Sequence, residues 1–195
     1  MRERNDSDLI RELARHARIL GLTSRLTIPQ DLRYILSAAD GASRLLEPSE
    51  ISRLCLYSGV EIGPLLELQS TAGRLVNLAR KQLLKQEPAL VKPGGALYQE
   101  QRAEACWRDC FHFLRLSLYG VSVAEPDLTD ACGMEALAKL YKILAVPVSS
   151  LLLALTELRE VATIVYGQWA PAKDVYLLDK SLTLLREKIS LACKN

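Results

Sequence analysis

The chain has 195 residues, 49% of them hydrophobic, enough to bury one sizeable core without disorder or low complexity. Twenty-five basic residues against 23 acidic ones leave a formal charge of +2, too balanced to argue for nucleic acid or an anionic membrane surface as a partner. The cysteines, Cys55, Cys106, Cys110, Cys132 and Cys193, are odd in number, and no short apolar run follows the N-terminus as a signal peptide requires, so a reducing, cytoplasmic location is expected.

Apolar residues recur at spacings of three and four and convincing alternating strands are absent, which predicts an all-α chain. The first helix is expected from about Ser7 to Leu20, capped by Asp6 or Ser7 and stopped by Gly21. Leu9, Ile10, Leu13, Ala14, Ala17 and Leu20 form its apolar face, and Arg11, Arg15 and Arg18 form the other, which reads as a solvated face or a contact for a partner or a membrane surface. A second helix is expected from Pro29 to about Ala39, and a third from Glu47-Pro48-Ser49 through Ile51, Leu54 and Tyr57. Gly59 and Gly63-Pro64 are read as breaks, Leu65 to Leu84 as one helical stretch ended by Pro88, and Lys92-Pro93-Gly94-Gly95 as a loop. Gln99 to Tyr119 is long and periodic and holds neither Gly nor Pro within it, the clearest helix of the chain. Further helices are expected around Met134 to Leu144, from about Ser149 to Tyr166 and from about Lys173 to Ala192, with a turn at Val146-Pro147. The uncharged run between Lys142 and Glu157 is broken by Pro147 and falls short of the roughly 20 apolar residues that cross a bilayer, so it reads as a buried helix. About eight helices in one domain suit a globin-like packing better than a simple four-helix bundle.

On the central helix Arg102, Cys106, Asp109, Cys110 and Phe113 recur at offsets of three and four, which puts a cation, a thiol, a carboxylate and an aromatic ring on one face. Such a face can serve an extended ligand. Residues alone leave a second reading open, in which Cys106 beside Ala105 and Trp107 is an ordinary small buried hydrophobe.

Pro93-Gly94-Gly95-Ala96-Leu97-Tyr98, then Cys106-Trp107-Arg108-Asp109 and Phe113-Leu114-Arg115, resemble the "PGGNxY … CLRD … YYLR" core of the phycobiliprotein family in order and spacing. Ala39-Asp40, Leu46-Glu47-Pro48-Ser49-Glu50, Glu87-Pro88, Tyr119-Gly120 and the Tyr141, Leu144, Pro147 series fall where that family has "AD", "LSPGEL", "RP", "TYG" and "Y..LG.P". The resemblance runs from about Ile28 to the C-terminus. It divides the chain into an N-terminal helical extension, residues 1–27, without a counterpart in a standard subunit, and a globin-like phycobiliprotein domain, residues 28–195.

The resemblance implies a linear tetrapyrrole, phycocyanobilin or a related bilin, joined by a thioether to Cys106. Asp109 takes the family's role of accepting hydrogen bonds from the central pyrrole nitrogens, and Arg108 that of pairing with a propionate. Arg102, Tyr98, His112, Phe113 and Tyr141 complete the expected pocket, and Asp40 and Arg115 match residues that take part in ion pairing between α and β subunits. A partner subunit is therefore implied, as a heterodimer, a homodimer or a ring, together with other phycobilisome components of the light-harvesting antenna. Nucleic acid has no place in this picture, any membrane contact is peripheral, and the cytoplasmic face of the thylakoid is the implied site of photosynthetic work.

Departures from the family pattern are Ala96 for the Asn after Pro-Gly-Gly, His112 within the aromatic run, Ala124-Glu125 for Gly-Asp after the central helix, and Ala145 for the "LG.P" glycine. They mark a specialised paralogue, and they keep open an unpigmented or transiently pigmented relative acting in phycobilisome assembly, regulation or bilin handling. Haem ligation by His112 and a zinc site at Cys106, Cys110 and His112 are both disfavoured, since no Cys-x-x-Cys pair exists and a histidine in a tyrosine's place serves hydrogen bonding. Cys132 does not fall where β subunits carry a second bilin. No nucleophile with an adjacent base and no phosphate loop is visible, so an enzyme is not expected.

Overall fold

The helical periodicity resolves into nine α-helices among the described residues of the computed structural model, which covers residues 2–194, with side chains from residue 8 onward. They are α1 (Arg2–His16), α2 (Gln30–Gly41), α3 (Pro48–Ser58), α4 (Ile62–Ser70), α5 (Ala72–Gln86), α6 (Glu100–Ser122), α7 (Ala131–Ile143), α8 (Val148–Tyr166) and α9 (Ala172–Ala192). Short 3-10 turns lie at Leu22–Ser24 and Pro88–Val91. No described helix is long and apolar enough to cross a membrane.

Helix starts follow local chemistry. Pro48 opens α3, where a missing N–H costs nothing, and the Glu50 carboxylate accepts the Glu47 N–H at 2.8 Å while the Arg44 guanidinium grips it at 2.7 and 2.8 Å. The same tolerance puts Gly63-Pro64 inside the first turn of α4, where a break was expected. The expected single stretch from Leu65 to Leu84 is instead two helices. Thr71 separates them, its hydroxyl donating to the Leu68 carbonyl at 2.9 Å and so competing with the helical ladder.

One core runs through the molecule, from Ile19 to Ile189. Its spine is the second half of α6, where every residue from Phe113 to Val123 is buried, and α5, α8 and α9 pack around it. The first half of α6 keeps Cys106, Trp107 and Cys110 in the same core and carries the candidate site.

The N-terminal segment departs from expectation. Helix α1 begins before the expected cap at Asp6 or Ser7, whose side chains lie outside the described set, and ends at His16 rather than Leu20. The reason is distant in sequence. Leu20 forms an antiparallel bridge with Thr129, the Ile19 carbonyl accepts the Asp130 N–H at 2.8 Å, and the Gly21 N–H donates to the Leu128 carbonyl at 2.7 Å. A Cβ at Gly21 would lie 2.6 Å from the Thr129 oxygen, and one at Gly133 would lie 2.0 Å from the Arg18 oxygen. Both glycines are therefore required by close backbone approach. The extended stitch lays α1 against α7, and Ile19, Leu20, Leu22 and Ile28 enter the common core.

Candidate functional site

A cavity of about 360 Å³ lies between α6 and the α7–α8 connection, with Arg102, Cys106 and Asp109 on one wall and Leu144, Val146 and Pro147 on the other. It meets a second cavity of about 430 Å³, and Ala105, Asp109, Leu144 and Val146 line both. Arg108, His112, Phe113 and Tyr141 surround the second, with Arg18 on its outer rim. The two make one elongated cleft, each part within the roughly 300–1,000 Å³ of small-molecule sites. A third cavity, of about 710 Å³, lies beyond Tyr141 against the end of α9 and holds none of the other expected residues.

Backbone geometry closes the cleft on its apolar side. Ala145 takes a left-handed conformation at φ +50°, and the Val146 N–H returns to the Tyr141 carbonyl at 2.9 Å, which turns Val146 and Pro147 back toward Cys106.

Cys106 is buried yet lines the cleft, whereas Cys110, one turn on, is 1% exposed and lines none of these cavities. Contact with Cys106 and burial push the Cys110 thiol well up, so Cys110 stays protonated and Cys106 is the reachable sulfur. Three residues along, the Tyr141 hydroxyl donates to one Asp109 oxygen at 2.7 Å. Burial raises the Asp109 carboxyl above its ordinary range, against the opposing pull of Tyr141, Arg108 and His112. Burial and the neighbouring Arg115 lower His112, and its Nδ1 is enclosed with no hydrogen-bond partner among the described residues. An orphaned donor or acceptor of this kind beside a cleft is a place for a ligand's polar atom.

Most expected site residues therefore converge: Cys106, Arg102 and Asp109 at one end, Arg108, Asp109, His112, Phe113 and Tyr141 at the other. Tyr98 does not join them. The Leu97 N–H bonds the Leu90 carbonyl at 2.8 Å and Leu97 turns into the core, so the next residue, Tyr98, points outward and is 54% exposed. Asp40 and Arg115 are paired with each other inside the chain at 3.0 Å and are largely buried. Arg115 further donates to the Tyr119 hydroxyl at 2.8 Å, and that hydroxyl donates to the Arg44 carbonyl. The ion pair ties α2 to α6 within the chain.

The sequence reading missed the apolar wall of Val146, Pro147 and Leu151, for which the turn at Val146-Pro147 was the available signal. It also placed Arg18 on the outer face of the first helix. With α1 ending at His16, Arg18 leaves that face and reaches the cleft.

Residues 34–180 match the family model described as phycobilisome protein. The chain belongs to that family. It is 32% identical over 128 residues to the allophycocyanin alpha subunit of a Picosynechococcus species, covering 64% of this chain and 80% of that one. Similarity to the allophycocyanin alpha chain of Galdieria sulphuraria is 31% over 127 residues, covering 64% and 79% of the two chains. Among solved structures, a far-red fluorescent biliprotein derived from an allophycocyanin F subunit of Chroococcidiopsis thermalis superposes with a TM-score of 0.55 at 20% identity. That superposition covers 74% of this phycobiliprotein and 98% of the other chain, and it places the present fold in the globin-like class. At the level of the family, phycobiliproteins are non-enzymatic light-harvesting proteins that hold covalently linked bilins.

Proposed function

We propose that this phycobiliprotein holds a linear tetrapyrrole, phycocyanobilin or a related bilin, through a thioether at Cys106, and that it works as a pigment subunit of the phycobilisome at the cytoplasmic face of the thylakoid. The observation that carries this reading is the continuity of the cleft, with the Cys106 thiol toward one end, Asp109 in the middle and the Arg108 guanidinium beyond it. The residues fit the group. Cys106 forms its thioether by adding across a double bond of the terminal ring, sulfur to one carbon and the thiol hydrogen to the next, with nothing expelled. Asp109 keeps one oxygen for pyrrole N–H donors while Tyr141 holds the other. An anion fixed there favours the protonated pigment, and ligand N–H donors compensate the carboxylate for the water it has lost. Arg102 and Arg108 reach solvent at the two ends and suit the pigment's propionates.

Residues 28–195 act as the pigment domain in this reading, and residues 1–27 are an added cover. The partner is another phycobiliprotein subunit, in a heterodimer, homodimer or ring, docked on the apolar face of α2 and α3. Tyr34 there is 76% exposed and Leu56 is 77% exposed, an unusual cost for a monomer.

The test is to produce the protein in cells that make phycocyanobilin with a suitable attachment lyase. The denatured chain is then examined for zinc-induced fluorescence and the native chain for visible absorption. Covalent fluorescence that disappears in Cys106→Ala is expected. Asp109→Ala should keep the pigment but move its absorption to the blue and weaken its emission. Covalent pigment on Cys106→Ala would sink the attachment site, and a colourless parent would favour the assembly or regulatory relative.

A further inference from the structure

The N-terminal segment is stitched to the core in a way that serves the cleft. Residues 17–21 leave α1, pair with the strand-like stretch before α7, and pass so close to Gly133 that no side chain fits between. This fixes the backbone at Arg18 while its side chain stays exposed on the rim of the cavity that also holds Arg108, Asp109 and His112. Ala14 on α1 and Ala17 just beyond its end line the same cavity. Two other arginines of the N-terminal segment have acidic partners, Arg11 with Asp8 and Arg25 with Asp127, but Arg18 has no ion pair among the described residues. An anchored cation with no ion pair among the described residues thus faces the wall from which Arg108 projects.

We propose that Ala14, Ala17 and Arg18 form a further wall of the ligand cleft and that Arg18 binds a carboxylate of the bound tetrapyrrole, opposite Arg108. The inference rests on the bilin reading and extends it to residues outside the stretch that matches the family. Arg115 in the same cavity is already committed to Asp40, so a tetrapyrrole with two propionates beside the Asp109 carboxylate draws on the remaining cations of that cavity, Arg108 and Arg18. Arg18 supplies one from the wall opposite α6. Because Arg18 is exposed and its side chain makes no hydrogen bond or ion pair among the described residues, Arg18→Gln should leave the pigment-free fold intact.

The experiment compares phycocyanobilin with its dimethyl ester, whose propionates bear no charge. Equilibrium binding is followed by absorption in the Cys106→Ala chain, and the rate of covalent loading is followed in the intact chain. Arg18→Gln should weaken binding or slow loading of the free acid about fivefold, as expected for a rim ion pair, and leave the ester unaffected. Arg18→Lys should restore most of the loss. Gly133→Ala, which forces the Arg18 backbone away and disturbs the adjoining Ala17 wall, should weaken uptake of the free acid at least as much as Arg18→Gln. Unchanged uptake of the free acid in Arg18→Gln, or equal losses for acid and ester, overturns the proposal while leaving the bilin reading in place. A parent chain that takes up neither form overturns both.

Discussion

Ala124 and Ala145 occupy left-handed backbone, at φ +55° and +50°, where a Cβ crowds the carbonyl that follows. Both stand where the resembled family carries glycine, so the turns have been kept and the residue suited to them has not. Ala145→Gly and Ala124→Gly should therefore each stabilise the pigment-free chain, by about 0.5–1 kcal/mol after allowing for the greater freedom of glycine when unfolded. A rise of roughly 1–4 °C in melting temperature checks this, and a fall would mean that Cβ packing outweighs the strain. Asp109 makes the opposite kind of sacrifice. Burial raises its carboxyl in the folded chain, so its contribution to stability is fullest below the ordinary carboxylate range and is lost as pH rises through the raised value. Asp109→Asn removes the buried charge and can still accept from Tyr141. The pigment-free variant should melt above its parent at neutral pH, with the gap closing as the pH falls through the carboxylate range. A gap independent of pH would remove the carboxylate's burial as its cause.

The elements differ in how far their own residues decide them. Helix α6 was legible because its periodicity is long and unbroken by proline, and with it the spacing that puts Cys106 and Asp109 on one cleft. The end of α1 was not, since it is set by backbone bonds to Leu128 and Asp130 rather than by anything near His16. Arg18 was misplaced for the same reason. Tyr98 lies outside the described cavities because the turn at Gly95 packs directly on the Ala89 and Leu90 carbonyls, which commits Leu97 to the inside. The resemblance assigns Asp40 and Arg115 to ion pairing between subunits, and nothing in their positions 75 residues apart announces the bond they make with each other within the chain. Their side chains are only 14% and 6% exposed, so removing one leaves the other buried and uncompensated. Asp40→Ala should cost about 3 kcal/mol in urea unfolding. A variant of unchanged stability that fails to assemble would return the pair to a subunit contact.

At the scale of the whole molecule, the described helices close one core and still leave large apolar side chains in water. Leu26, Tyr34, Leu56 and Tyr57 are among them. Asp31 and Arg53 bridge α2 and α3 at 2.8 Å, and Tyr34 lies one turn beyond the first while Leu56 and Tyr57 lie one turn beyond the second. The Tyr57 hydroxyl donates to the Thr27 carbonyl at 2.8 Å, which brings the 87% exposed Leu26 toward the same region. An aromatic and aliphatic surface fastened by a salt bridge and a hydrogen bond is rigid before any partner arrives, so little ordering is lost on docking. Self-association or pairing with an allophycocyanin-type subunit should therefore depend on it. Tyr34→Asp combined with Leu56→Asp should weaken association at least tenfold by sedimentation, because a buried aromatic anchor contributes about 2 kcal/mol and an introduced carboxylate must be desolvated. Ile164→Asp provides the comparison: that residue is 69% exposed on α8, away from both helices, and the substitution should leave association unchanged. Loss of association at Ile164 with none at Tyr34 and Leu56 would move the contact to the α8 side and leave the α2–α3 surface without a partner.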